Sequence, residues 1–199
     1  MGPLSANPAS GSPFETRADE YDSWFETHSH LFQQQQEFIR PFIRENEGLI
    51  LEIGCGSGRF AAALGIPVGI EPSGPLGRMA CQRGVATIQG VGEYLPVRSR
   101  SISQVFLITV LGFVTSPAGV LREIGRSLLL SGSLIIVDID MESETGERYQ
   151  REQPSSTFLS QARLYSPRQI LFLLDEAGFI VSDFQQSAGL LLISGSIRK

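Results

Sequence analysis

Five short apolar runs punctuate the chain: "GLILEI" (48–53), "PVGIE" (67–71), "VATIQ" (85–89), "QVFLITV" (104–110) and "SLIIVDI" (133–139). Each is rich in Val, Ile and Leu and lacks the polar alternation of a half-exposed strand, which is the pattern of parallel strands covered on both faces. Between them, helical spacing appears at 74–83, at 117–130 with Leu121, Ile124 and Leu128 in phase, and at 166–177. In the last of these, Ser166 and Pro167 read as N-cap and first helical residue, and Gly178 as the stop. Two further runs, "FIVSDFQQ" and "GLLLISGSIR", are separated only by Ser187 and Ala188, with Gly189 near the turn. That is too close for a helical crossover, so an antiparallel hairpin closes the sheet. The pattern predicts an α/β fold: a mostly parallel sheet with helices on both faces and a C-terminal hairpin. Residues 17–46, ahead of the first strand, are expected to be helical and to present Tyr21, Trp24 and Phe25 on an aromatic face.

Composition narrows this picture. The 199 residues suit one folding unit, with 42% hydrophobic and 19% charged residues. No apolar run approaches the roughly 18 residues of a membrane span. Residues 1–13, rich in Pro, Ser, Ala and Gly, read as a flexible tail rather than a secretory signal. Residues 14–199 then form the domain, with 14–46 as its N-terminal helical region. Two cysteines, Cys55 and Cys81, offer neither a disulfide framework nor a zinc cluster, and a reducing cytoplasm is the expected location. A net charge of -5 gives phosphate backbones little to hold, so nucleic acid is not expected as a partner.

Candidate chemistry concentrates in "LEIGCGSGRF" (51–60), where Gly54, Gly56 and Gly58 follow the first strand directly. In an open parallel sheet the ligand crevice lies beyond the carboxyl ends of the strands, and glycine there lets a ligand approach backbone amides. The next strand ends in Glu71, 19 positions beyond Glu52, where a carboxylate can accept both hydroxyls of a ribose. A plain turn would also use glycine, but the two features together indicate an adenosine-containing cofactor. The position that a dinucleotide fingerprint fills with a third small residue holds Arg59, which disfavours NAD.

The run "LEIGCGSGRF", followed by "GIEPS", "GVGEYLP", "REIGRSLLLSGSLIIVDID" and "YSPRQILFLLDEAGF", resembles the class I S-adenosylmethionine-dependent methyltransferases. The similarity is greatest to the small-molecule branch that includes ubiquinone and menaquinone biosynthesis methyltransferases and, within it, to bacterial proteins described as possible small-amine N-methyltransferases. It implies a Rossmann-like seven-stranded sheet of order 3-2-1-4-5-7-6, S-adenosylmethionine as cofactor and S-adenosylhomocysteine as product. It further implies that Glu52, Gly54, Cys55, Gly56 and Gly58 surround the methionine moiety. Glu71 would hold the ribose, Pro72 would pack on the adenine, Gly92 and Glu93 would edge the base, and Thr109 to Phe113 would line the reactive end. Relatives carry "GDAE" where this chain reads "GVGE", so Val91 replaces an adenine-binding Asp. Ser103 likewise stands where relatives carry a structural carboxylate.

Methyl transfer asks the protein mainly to align reactants, exclude water and remove a proton. Tyr21, Trp24 and Phe25 are candidate lid residues, although aromatics at helical spacing also suit core packing. His28 and Tyr21 are the candidate catalytic groups, and Phe113 and Tyr149 the candidate substrate contacts. Asp138 and Asp140 end the fifth strand without a nearby His or Cys, so no metal is expected. Residues 141–163 are expected to be a flexible loop over the site. With no separate recognition domain, the expected substrate is a small molecule. A non-catalytic cofactor-binding protein and an NAD-linked oxidoreductase are the competing readings, and the oligomeric state is open.

Overall fold

The computed structural model describes residues 11–44 and 48–198; most of the expected tail, and Asn46 at the end of the expected N-terminal helical region, lie outside them. The strands are β1 (Ile50–Ile53), β2 (Val68–Glu71), β3 (Ala86–Gln89), β4 (Ile102–Ile108), β5 (Leu128–Ile139), β6 (Phe179–Ser187) and β7 (Leu190–Ile197). They form one sheet of order β3-β2-β1-β4-β5-β7-β6. β7 runs antiparallel to both β5 and β6, and the other pairs are parallel. The helices are α1 (Pro13–Thr16), α2 (Ala18–Thr27), α3 (Ser29–Ile39), α4 (Arg59–Leu64), α5 (Gly74–Gln82), α6 (Pro117–Ser127), α7 (Glu144–Glu152) and α8 (Pro167–Glu176).

Coverage on both faces accounts for the apolar runs of β1, β2, β4 and β5, but not for that of β3, an edge strand whose residues are mostly exposed. Successive strand residues point to opposite sides, and in β4 and β5 both sides are buried. Val105, Leu107, Leu134 and Ile136 pack with α6 and α8, whereas Phe106, Ile108, Ile135 and Val137 pack with α3 and α4. The β6–β7 turn places Ala188 (φ 51°) and Gly189 (φ 74°) in the left-handed region, the geometry that a two-residue hairpin demands. Ser166 caps α8 with a complete capping box to Gln169.

Four expectations are corrected. The helix expected over 117–130 stops at Ser127, because Leu128 pairs with Ile102 and begins β5. A buried leucine satisfies either pattern, so helical phase alone misplaced the boundary. The helical region expected at 17–46 breaks at His28, where the backbone NH, the His28 ring and the Thr27 hydroxyl all converge on the Trp24 carbonyl. The stretch 141–163 is not a flexible loop: Ser143 caps α7, and Gln153 ties the following turns to the Leu159 and Ala162 carbonyls. Finally, Pro13 is buried and opens α1, so it belongs to the domain rather than to the tail.

Candidate functional site

β1 delivers the chain into a turn in which Gly54, Gly56 and Gly58 have φ of 69°, 56° and 77°. The turn spends its own amides. Gly54 and Cys55 both donate to the Ile70 carbonyl (2.7 and 3.2 Å) and Gly58 donates to Cys55 (2.9 Å). Gly56 donates to Glu71 Oε2 at 2.9 Å. The amides of Gly54, Cys55, Gly56 and Gly58 thus fix the turn, and its open face is the surface at Gly56. A Cβ on Gly54 would lie 2.6 Å from Val110 Cγ2 and one on Gly58 2.8 Å from Ala80 Cα, whereas one on Gly56 would first meet Tyr21, with Oη at 3.2 Å. Two of the glycines thus serve packing, and the middle one leaves bare backbone beneath a tyrosine.

Two buried carboxylates stand beside this surface. Glu71, 5% exposed, also accepts from Ser73 NH at 2.8 Å, so both its oxygens hold the turn. Burial pushes its carboxyl up to about 7 despite these two backbone hydrogen bonds. Glu52 is 2% exposed and its Oε2 has no hydrogen-bond partner. Burial first, and the Glu71 charge second, raise it well above the ordinary carboxylate range. The Tyr21 phenol is raised by burial and then by Glu71 and Glu52, so three acidic groups share one space. An orphaned buried carboxylate oxygen is costly, and a cationic donor relieves that cost. The arrangement fits a ligand bearing an ammonium and vicinal hydroxyls. The Cys55 thiol faces elsewhere, packed against Gly69 and Val85 in the core, where burial raises its pKa.

A pH dependence follows. Glu71 titrates near 7 when folded, against about 4.5 unperturbed, so its contribution to ligand-free stability is complete below about pH 4.5 and is lost as pH rises through 7. The melting temperature of the ligand-free chain is expected to fall between pH 5 and 8, with Glu52 and Asp138, also raised by burial, adding to the slope. In Glu71→Gln that slope flattens; an equally steep slope in the variant contradicts the assignment.

Aromatic rings close the space. Tyr21 makes edge contacts with Phe14 (5.4 Å), Phe25 (5.6 Å) and Phe158 (5.7 Å). Phe14 in turn meets Phe113 at 5.2 Å, just beyond β4. Phe25 is buried between Trp24, Phe32 and Phe60. His28 is not brought to the loop: it is exposed, stacked on Trp24 at 4.4 Å, with Nδ1 engaged by Trp24 O and Thr27 Oγ1. Tyr149, half-buried on α7, lies against Arg148 and touches none of these rings. Glu93 Oε1 accepts from Ser116 NH at 3.1 Å, holding the start of α6, and Gly92 lies between Ile53 and Val120. Pro72 is half-buried between Glu71 and Ser73. Thr109, where β4 ends, takes φ 53° and donates to the Val137 carbonyl at 2.7 Å. A left-handed β-branched residue is strained, and such strain gathers at sites.

Two features escaped the sequence reading, and a third was weighed there only as a metal ligand. Phe14 and Phe158 complete the aromatic cover, although only the fold brings residues so distant in sequence together. Asp22 pairs with both Arg59 and Arg83. Asp138, half-buried at the carboxyl end of β5, uses Oδ1 to accept from Ile139 NH, while Oδ2 has no partner among the described residues. Burial raises its pKa to about 6. Its position at a strand end was the available signal.

Comparison with known proteins agrees with this geometry. The family described as "Methyltransferase domain" matches residues 51–136, from β1 into β5. An uncharacterized protein of Methanocaldococcus jannaschii is 32% identical over 166 residues, 83% of this chain and 80% of that protein. An uncharacterized Mycobacterium tuberculosis protein is 34% identical over 81% of this chain, which spans only 58% of that longer protein. The crystal structure of a Thermotoga maritima protein, described as a SAM-dependent methyltransferase and possible histamine N-methyltransferase, superposes with a TM-score of 0.85 at 29% identity, covering 93% of this chain and 98% of that one. No helix among the described residues is long and apolar enough to cross a membrane. The glycine turn, the carboxylate ending β2, the strand order and these relatives agree: the chain belongs to the class I S-adenosylmethionine-dependent methyltransferases.

Proposed function

We propose that the protein transfers a methyl group to a small-molecule acceptor, and that the acceptor atom is an amine nitrogen. The observation that carries the cofactor half is the unpartnered, buried Glu52 Oε2 beside Glu71 at the Gly56 surface. On this reading Glu52 receives the methionine ammonium and Glu71 the ribose hydroxyls. Pro72, Gly92 and the neighbouring Glu93 lie along the base, and Thr109 lies at the reactive end. The bound cofactor supplies a methyl group already activated on a sulfonium. The chain's residues exclude water and align the acceptor, tasks that suit Tyr21, Phe14, Phe113 and Phe158. Ring faces of this kind also attract a cationic acceptor before it is deprotonated.

The amine half rests on Asp138. Asp138 follows Val137, which pairs with Ile108 at the end of β4, and a carboxyl titrating near 6 can hold a cationic amine and take its proton at neutral pH. The description of the Thermotoga protein supports the same acceptor chemistry. The test is production of S-adenosylhomocysteine with a panel of small amines, thiols, alcohols and phenols. Amines are expected to turn over, and Asp138→Asn to lower kcat by about 100-fold with little change in the cofactor KM. Turnover with oxygen or sulfur acceptors alone contradicts the amine assignment. Cofactor binding without turnover of any acceptor makes this a binding protein instead.

A further inference from the structure

Arg59 excludes a dinucleotide fingerprint, and the structure gives it a partner. Its guanidinium grips Asp22 of α2 bidentately, Nε to Oδ1 at 2.9 Å and Nη2 to Oδ2 at 2.6 Å. Arg83, which follows α5, donates to the same Asp22 Oδ2 at 2.7 Å and also to the carbonyl of Ser57, between Gly56 and Gly58, at 2.8 Å. The side chains of Asp22, Arg59 and Arg83 are only 14%, 19% and 27% exposed. A fork-shaped, partly desolvated network of this kind is stronger than a solvated surface pair. Burial opposes ionisation of Asp22, yet the hydrogen bonds, led by Arg59, hold its carboxyl down to about 2. Tyr21, the ring over Gly56, is the residue immediately before Asp22. On the other side of Glu71, Ser73 Oγ donates to the Phe14 carbonyl at 2.9 Å and Gly74 NH to Glu15 Oε2 at 3.2 Å. The N-terminal segment is thus tied down on both flanks of the candidate site, and one guanidinium holds the glycine turn and the lid at once.

We propose that Asp22 is a positioning residue: through Arg59 and Arg83 it clamps α2 and Tyr21 against the glycine turn, and this clamp sets how long S-adenosylhomocysteine stays bound. The inference rests on the cofactor reading above. A ligand under Tyr21 leaves only when α2 lifts, and lifting α2 breaks the Asp22 pairs. The neutral isostere keeps the shape of the side chain but loses the charge that both arginines hold.

Two measurements test it. In stopped-flow displacement, Asp22→Asn is expected to raise the S-adenosylhomocysteine dissociation rate about tenfold, as the loss of charge-assisted hydrogen bonds implies. Asp22→Glu, which keeps the charge, recovers most of the wild-type rate. High salt accelerates dissociation from the wild type and has little effect on Asp22→Asn. In hydrogen exchange on the ligand-free chain, Asp22→Asn deprotects residues 18–27 while β1, β4 and β5 stay protected. An unchanged dissociation rate together with unchanged exchange in α2 overturns the proposal. So does a uniform loss of protection, which would make Asp22 merely structural. Failure of the wild type to bind S-adenosylhomocysteine overturns the cofactor reading, and the residence claim with it, whatever the exchange data show about the clamp.

Discussion

Gly56→Val is expected to reduce S-adenosylhomocysteine affinity by at least about 100-fold, roughly 3 kcal/mol, while the chain still folds. The three glycines of the turn allow this separation of effects. A side chain on Gly54 drives into Val110 and one on Gly58 into the backbone of Ala80, so either change damages the core before it reports on a ligand. At Gly56 the first obstacle is the Tyr21 ring at 3.2–3.3 Å, carried on α2. The valine methyls would occupy the bare surface between Glu52, Glu71 and Tyr21. The left-handed φ of 56° adds about 1–2 kcal/mol of backbone strain for a non-glycine residue, which lowers the melting temperature without unfolding the sheet. Calorimetric titration and circular dichroism on the same sample check both halves. A variant that folds and binds as tightly as wild type places the ligand elsewhere.

The second large effect belongs to Glu71. Glu71→Ala is expected to weaken S-adenosylhomocysteine binding by about 10- to 100-fold, from lost charged hydrogen bonds to ribose. It also leaves the Gly56 and Ser73 amides without their acceptor, and an unsatisfied buried NH costs about 1–3 kcal/mol. Melting temperature and affinity therefore fall together. Glu71→Gln discriminates between the two roles: it keeps the volume and one acceptor, but its amide group presents a donor to another donor. Its affinity loss should exceed what its milder destabilisation implies. Binding unchanged in Glu71→Gln would reduce Glu71 to a brace for the turn.

The sheet was legible because strands buried on both faces write themselves as unbroken apolar runs, and each run overlaps a strand of the fold, although "VATIQ" forms the largely exposed edge strand β3. Helix ends were legible where a cap supplied chemistry, as at Ser166, and illegible where a buried leucine suited two structures, as at Leu128. The stretch 141–163 looked like a loop because its charges obscure the caps and side-chain ties that order it. At the site, the glycine turn with Glu52 and Glu71 could be read from local spacing, because one strand–turn–helix unit and the next strand contain them. The partners of those residues could not. Phe14, Asp22 and Phe158 are brought together with the turn only by the fold, from distant parts of the chain, and no spacing rule connects them. His28 shows the converse: scarcity made it prominent in the sequence, while its local hydrogen bonds to Trp24 and Thr27 hold it at a helix junction.

Glu52, Glu71 and the Gly56 surface form the proposed cofactor site. The most direct test is a crystal structure of the protein grown with S-adenosylhomocysteine. The ligand ammonium is expected on Glu52 Oε2, directly or through one water, with the ribose hydroxyls on Glu71 and Tyr21 against the ligand. A ligand bound away from the turn, or a bound ligand that leaves Glu52 Oε2 without a partner, would contradict this site assignment.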